Sequence, residues 1–181
     1  MTGLRGYQSF EEWMGTRVLS LSDVWPEHPR AAIVGINPSP VSVAAGHYFQ
    51  GPVGRRQLGR IADALGWDVP PDGFFEEAGL AHGVGFTDIV KRPTPREVGV
   101  NAAELAHGRD LLGIKLAAHH VGLVIAVYRQ PVAALLGAEG KPGVQPTRTS
   151  WGARVFRMPG PYERPAKAGE VMRELAGLVG R

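Results

Sequence analysis

The sequence predicts an α/β protein, a three-layer α/β/α sandwich around a mainly parallel central sheet. Two observations carry this prediction. Short apolar runs typical of buried strands alternate along the chain with stretches of helical periodicity, and strands separated by helices form parallel sheets covered on both faces. The length of 181 residues, 44% of them hydrophobic, is enough for one core but short for two average domains. We therefore expect a single domain over residues 1–181.

The first two elements are predicted to be a helix and a strand. Ser9 and Glu12 have the spacing of a capping box, which predicts a helix that runs to about Leu19. The apolar run at residues 31–36 predicts a buried strand, and this strand ends at Asn37 because the proline that follows cannot continue a strand ladder.

The rest of the chain alternates helices with strands. After a long loop, apolar residues recur at helical spacing from Leu58 to Leu65, and Gly66 ends this helix. Asn101 and Glu104 cap a later helix. The remaining predicted elements are strands at residues 84–90, 121–127 and 154–158, a short helix from Pro131 to Gly137, and a last helix at residues 165–179. Ligands bind where the carboxyl ends of such parallel strands enter loops, so we expect the site there.

Composition limits the classes of function. Sixteen arginines against four lysines and a pI near 9.5 favour a surface that binds phosphate, although a preference for arginine codons explains the same excess. The chain has no cysteine, and its six histidines lack metal-ligand spacing, so we expect no metal and no cofactor. No apolar run approaches the roughly 20 residues of a membrane span, and the first ten residues lack a signal-peptide layout. We expect a cytoplasmic protein without membrane contact.

Three short segments carry the functional signal. The first has GINPSP at residues 35–40 followed by GHYFQGP at residues 46–52; the second has VGFTDIV at residues 84–90 followed by RPT; the third has MPGPYER at residues 158–164. In this order and spacing the chain resembles the mismatch-specific uracil and thymine DNA glycosylases, from about residue 31 to its end. The resemblance implies a DNA-binding monomer that excises a pyrimidine base.

The resemblance assigns a catalytic role to two residues. Asn37 matches the catalytic asparagine; since an amide is no strong general base, it would orient the attacking water. The alternative is an asparagine turn before proline. Asp88 stands where better-known relatives have an amide or a lysine. Its carboxylate would accept the N3 proton of uracil or activate water, and the alternative is a capping residue or a salt bridge with Lys91 or Arg92.

The resemblance also assigns a base-binding pocket. Phe49 matches the aromatic residue that stacks on the flipped base, and the alternative is a core phenylalanine. The backbone groups of Ile36 and Phe49 would contact the pyrimidine. Ser42 matches a small residue that faces C5 of the base, where a small side chain could admit a methyl group.

Two further segments are predicted to contact DNA. Arg164 matches an arginine that enters the space vacated by the flipped nucleotide, and Tyr162 would part a base step as a wedge; the alternative is a plain turn before a helix. Arg55 and Arg56 begin a helix, where arginines and backbone amides bind phosphate, and an exposed helix start is the alternative. The residues assigned to DNA binding are therefore Arg55, Arg56, Gly160, Pro161, Tyr162 and Arg164.

The sequence thus predicts a monofunctional glycosylase that hydrolyses the N-glycosidic bond of uracil in DNA, from G:U or G:T mismatches, in base excision repair. Thymine and other modified pyrimidines remain open as substrates. The rival prediction is a non-catalytic module of the same fold that binds damaged DNA. A nucleotide-binding protein unrelated to DNA is disfavoured, since the chain has neither GxGxxG nor GxxxxGKS.

Overall fold

The structure of the protein, a computed structural model, describes residues 3–179. In chain order its elements are β1 (Gln8–Trp13), β2 (Thr16–Leu21), β3 (Ala31–Gly35), α1 (Pro40–Ala45), α2 (Pro52–Leu65), α3 (Phe75–Ala81), β4 (Val84–Asp88), α4 (Ala102–Ala118), β5 (Leu123–Ala126), α5 (Arg129–Leu136), β6 (Gly143–Val144), β7 (Arg154–Arg157) and α6 (Pro165–Val179). A short 3-10 helix, Glu97–Gly99, precedes α4.

The central sheet has five strands in the order β4-β3-β5-β7-β6. The first four are parallel to one another, and only β6 runs antiparallel, beside β7. The predicted fold class, an α/β sandwich with a mainly parallel sheet, is confirmed. In the register of β3 and β4, Gly35 lies opposite Asp88, so the carboxyl ends of these strands meet at one edge of the sheet.

The core has two parts, one on each face of the sheet. Successive side chains of a strand point to opposite faces, and accordingly Ile33 packs with residues of α2 and α6 while its neighbour Val34 packs with residues of α4 and α5. Every residue of β3, β4 and β5 is buried. The sheet is therefore covered on both faces, which explains why its strands are continuous apolar runs.

The predicted first helix is wrong. Residues 8–21 form the antiparallel hairpin β1-β2, and Ser9 Oγ donates to the side chain of Glu11 instead of capping a helix. Met14 and Gly15 both have positive φ, 48° and 79°, as a two-residue hairpin turn of right-handed twist requires. The hairpin is anchored by tertiary contacts: Trp13 is buried and its Nε1 donates to Glu104 at 3.2 Å.

The other predicted elements are all present. Asn101 and Glu104 form the predicted capping box of α4, Gly66 ends α2 in the left-handed conformation, and α6 has the predicted bounds. Three short elements, α1, α3 and β6, lie in segments that carry no predicted helix or strand. Across residues 3–179, none of the helices has the length and apolar character needed to cross a membrane.

Candidate functional site

A cleft of about 610 Å³ opens at the carboxyl edge of the sheet. The loops that follow four parallel strands line it: Asn37 after β3, Asp88 at the end of β4, Tyr128 after β5 and Met158 after β7. All three segments singled out in the sequence therefore converge on this cleft. The segment after β5 is a fourth contributor that the sequence analysis did not foresee.

The side-chain amide of Asn37 has a fixed orientation. Its Nδ2 donates to the carbonyl oxygen of Arg92 and to Thr94 Oγ1, both at 2.8 Å. Because the Arg92 carbonyl can only accept, the amide oxygen must point the other way, and within residues 3–179 no donor bonds to it. The partners of Asn37 lie 55 and 57 residues along the chain, so its side chain is not engaged in a local asparagine turn. Asn37 presents a free acceptor at the cleft.

Asp88 is a buried carboxyl group without a bonded partner. It is 3% exposed and lines the cleft, and no donor in the described part of the chain makes a hydrogen bond to it. It lies against the end of β3, where a Cβ on Gly35 would collide with Asp88 Oδ1. Burial raises the pKa of Asp88 to about 7, although the Lys91 and Lys115 ammonium groups oppose this. A carboxyl group with this pKa can take up a proton near neutral pH.

The salt bridges suggested for Asp88 go to other acids. Lys91 Nζ lies 2.7 Å from Asp23 Oδ1, and Arg92 Nε lies 2.6 Å from Glu104 Oε1. Asp88 is therefore neither a salt-bridging nor a capping residue, and the alternative based on Lys91 or Arg92 is wrong. Its carboxyl group remains available to a ligand.

Asp23, which the sequence analysis missed, holds the two lysines near Asp88. Its carboxylate accepts from Lys91 at 2.7 Å, Lys115 at 2.8 Å and Thr87 Oγ1 at 2.6 Å. Burial opposes ionisation of Asp23, but the two ammonium groups outweigh it and hold its pKa below the ordinary value. Part of the positive charge that would otherwise stabilise ionised Asp88 is thus neutralised. No sequence pattern indicates this cluster, because its members are far apart along the chain.

Phe49 is held in a strained backbone conformation. Its φ is 56°, which is uncommon for a bulky residue, and hydrogen bonds secure both neighbours: Tyr48 N donates to Glu76 Oε1 at 3.2 Å and Gln50 N donates to Ser42 Oγ at 3.0 Å. The ring borders the core and lines the cleft. Strain of this kind is typical of groups preorganised for function, and the role of Phe49 in stacking on a base stays a prediction.

The other two residues assigned to the base pocket lie on the same wall. The Ser42 hydroxyl accepts from Gln50 N and bonds Ser39 Oγ, both at 3.0 Å, so it is engaged by the protein and secures the loop of Phe49. The Ile36 carbonyl accepts from Val90 N at 2.8 Å. Its amide N–H finds no acceptor among residues 3–179, and neither does that of Phe49, so both assigned backbone groups are available to a ligand.

The segments assigned to DNA lie at the rim. Arg55 Nη2 donates to Gln50 Oε1 at 2.7 Å, while the guanidinium of Arg56 lies 5.3 Å from the ring centre of Tyr162. Tyr162 is 78% exposed and, with Gly160 and Pro161, lines the cleft. Arg164 is exposed and stands immediately before α6, outside the cleft lining.

Several cleft residues were missed by the sequence analysis. Tyr128 directly follows a buried strand, as Asn37 does, and that position was the available signal; burial, and then the charge of Asp88, raise its pKa to about 12. Gln57 lies outside the cleft lining but donates to the carbonyl oxygen of Pro159, which belongs to it. It is completely buried on the apolar face of α2, where a polar residue is itself a signal. Three arginines also line the cleft: Arg96, Arg129 and Arg157.

Within residues 3–179, no group of three or more histidine, cysteine, aspartate or glutamate side chains could hold a metal ion. A family model described as the uracil DNA glycosylase superfamily matches residues 22–170. No curated protein matches the chain.

Proposed function

This chain belongs to the uracil DNA glycosylase superfamily, and from that premise we propose that it excises uracil from DNA as a monofunctional, mismatch-specific glycosylase. Membership of the family indicates a hydrolase that acts on DNA. The observation that carries the proposal of base excision is the meeting in one cleft of two groups without a hydrogen-bond partner, the Asn37 amide oxygen and the Asp88 carboxyl group, beside the Phe49 ring.

The proposed reaction begins with a nucleotide turned out of the duplex. The base stacks on Phe49, and the Ile36 amide N–H is available to one of its carbonyl oxygens. A water molecule accepted by Asn37 Oδ1 then attacks C1′ of the deoxyribose as the N-glycosidic bond breaks, and the bonding electron pair leaves with the base. The sugar passes through an oxocarbenium-like state, which the DNA phosphates stabilise in part.

Asp88 is the proton acceptor in this reaction, because Asn37 cannot accept a proton. Amides do not take up a proton at neutral pH, whereas a carboxylate with a pKa of about 7 is ionised in a large fraction of molecules. The water oxygen binds C1′ while its proton passes to Asp88, and the departing base anion is protonated from solvent. The second role open to Asp88 is to accept the N3 proton of uracil, which would make it a residue that reads the base.

Phosphate contacts fall to the arginines around the cleft. Arg96, Arg129 and Arg157 line it, and Arg55 is exposed at the start of α2, where backbone amides also favour phosphate. We propose that these side chains track the strand on both sides of the flipped nucleotide. Arg164 lies outside the cleft lining, and we propose that it contacts the duplex further from the flipped nucleotide than Tyr162 does.

The deciding experiment measures abasic-site formation by alkaline cleavage of labelled oligonucleotides. Duplexes carry U:G, U:A or T:G pairs, and the same uracil strand is also tested alone. We expect U:G to be processed, and strand scission to require alkali because a monofunctional enzyme leaves the backbone intact. Retarded migration of the U:G duplex without abasic sites would instead identify a damage-binding module. Equal processing of U:G and U:A would remove the mismatch preference.

A further inference from the structure

Residues 159–163 follow β7 and carry Tyr162 at the edge of the cleft; we call them the rim loop. Few hydrogen bonds form within this loop. Its one internal backbone hydrogen bond runs from Glu163 N to Gly160 O at 3.0 Å. Pro159 and Pro161 fix φ at their own positions, but most of the hydrogen bonds that hold the rim loop come from a neighbouring element.

Side chains of α2 bond to four of the five carbonyl groups of the rim loop. Gln57 Nε2 donates to Pro159 O at 2.9 Å. Arg60 donates to Gly160 O at 2.9 Å and to Glu163 O at 3.3 Å. The fourth bond, from Arg56 to Pro161 O, is 3.3 Å long. One face of a helix thus holds the loop along almost its whole length.

Gln57 and Arg60 also fix one another. Arg60 Nη1 donates to Gln57 Oε1 at 3.0 Å, which leaves the Gln57 amide nitrogen to donate to Pro159 O and, at 3.4 Å, to Val127 O. Gln57 is fully buried, and a buried polar side chain is unfavourable unless its bonds are made. This pair therefore connects the end of β5 to the rim loop through a satisfied polar network.

We propose that Gln57 and Arg60 are positioning residues that hold the rim loop ready to enter the duplex when the target nucleotide leaves it. The proposal rests on the glycosylase function proposed above. A loop that became ordered only on binding DNA would lose conformational entropy at that step. Because the hydrogen bonds from α2 already order the rim loop, this entropy is not lost on binding. A base in single-stranded DNA has no stacked pair to leave, so the bracing should matter for duplex substrates alone.

The test compares uracil release from a U:G duplex and from the same strand alone, under single-turnover conditions. The variant Gln57→Leu/Arg60→Met removes every donor of the pair and leaves an apolar side chain at both positions. We expect roughly a 10–100-fold fall on the duplex, the scale of a small misplacement, with little change on the single strand. Tyr162→Ala should also lower the rate on the duplex. The matched control is Arg173→Met, which loses one charge on the exposed face of α6 and should change neither rate.

An equal loss on both substrates, or no loss on either, overturns the proposal. If the double variant does not fold, Arg60→Lys replaces it, because lysine keeps the charge but lacks the guanidinium fork. A readout independent of catalysis is the fluorescence of 2-aminopurine placed next to the uracil. This fluorescence rises when the uracil leaves the stack. Wild-type protein that raises the fluorescence but releases no uracil contradicts the glycosylase function alone. The proposed role of Gln57 and Arg60 is contradicted if the fluorescence rises as much with the variant as with the wild type, or if it rises with neither.

Discussion

Replacing Asp88 by asparagine removes a charge from the cleft while keeping size and one hydrogen-bonding oxygen. If Asp88 activates water, the chemical step should fall by about 10²–10⁴-fold at pH 8, the usual range for general acid–base catalysis. The effect must depend on pH. Only ionised Asp88 accepts a proton, so the wild-type rate should rise with pH to a plateau, with a midpoint near the pKa of about 7, and the variant should lose this acidic limb.

The same substitution should make the protein more stable. Folding raises the pKa of Asp88 from 3.8 to about 7, chiefly through burial, and this difference corresponds to about 4 kcal/mol at 1.36 kcal/mol per pH unit. Since the folded pKa is the higher one, the cost is absent below pH 3.8, grows as the pH rises from 3.8 to 7, and is complete above 7. Asp88→Asn should therefore raise the free energy of unfolding at pH 8 by up to ~4 kcal/mol and leave it almost unchanged at pH 3.

Two measurements check this reasoning. Single-turnover cleavage of a U:G duplex between pH 5 and pH 9 gives the rate profile, and urea unfolding at pH 3 and pH 8 gives the stability. Asp63→Asn is the matched control, because Asp63 is exposed on α2 and should move neither quantity. Superimposable rate profiles for Asp88→Asn and the wild type would show that Asp88 is structural. A smaller rate loss with a changed preference between uracil and cytosine-like bases would assign it to base reading.

Three further predictions concern the remaining parts of the site. Asn37→Ala should lower uracil release strongly and leave DNA affinity nearly unchanged, because Asn37 holds water and not phosphate; single-turnover rates within a few-fold of the wild type would contradict this. Phe49→Ala should weaken binding of uracil-containing DNA by about 1–3 kcal/mol through lost stacking, as measured by fluorescence anisotropy, whereas unchanged affinity would make Phe49 a core residue. The logarithm of the affinity should fall linearly with the logarithm of salt concentration, with a slope of about −0.9 for each neutralised phosphate, and a flat dependence would leave the arginine excess without a DNA-binding role.

The hairpin β1-β2 shows where a local sequence pattern predicts the wrong element. Ser9 and Glu12 have the spacing of a helix cap, but the Trp13 indole bonds to Glu104 of α4, which is 91 residues further along the chain. Contacts over such distances outweigh the weak preferences of a short polar segment. The sequence does contain a turn signal, Met14-Gly15 between two strand-length runs. This signal is weaker than an Asn-Gly turn, so it does not by itself predict a hairpin.

The sequence by itself determined the layers, the order of the main strands and helices, and the edge of the sheet where Asn37 and Asp88 lie, while Phe49 was assigned only by the family resemblance. These follow from apolar periodicity, from caps such as Asn101, and from the rule that parallel strands end at one edge. Tertiary structure alone decided which acid stays unpaired: Lys91 lies three residues from Asp88, yet its ammonium group bonds to Asp23. Local spacing cannot indicate such a choice, because the partner of a buried charge is set by which elements pack together, and that packing also sets the pKa of Asp88.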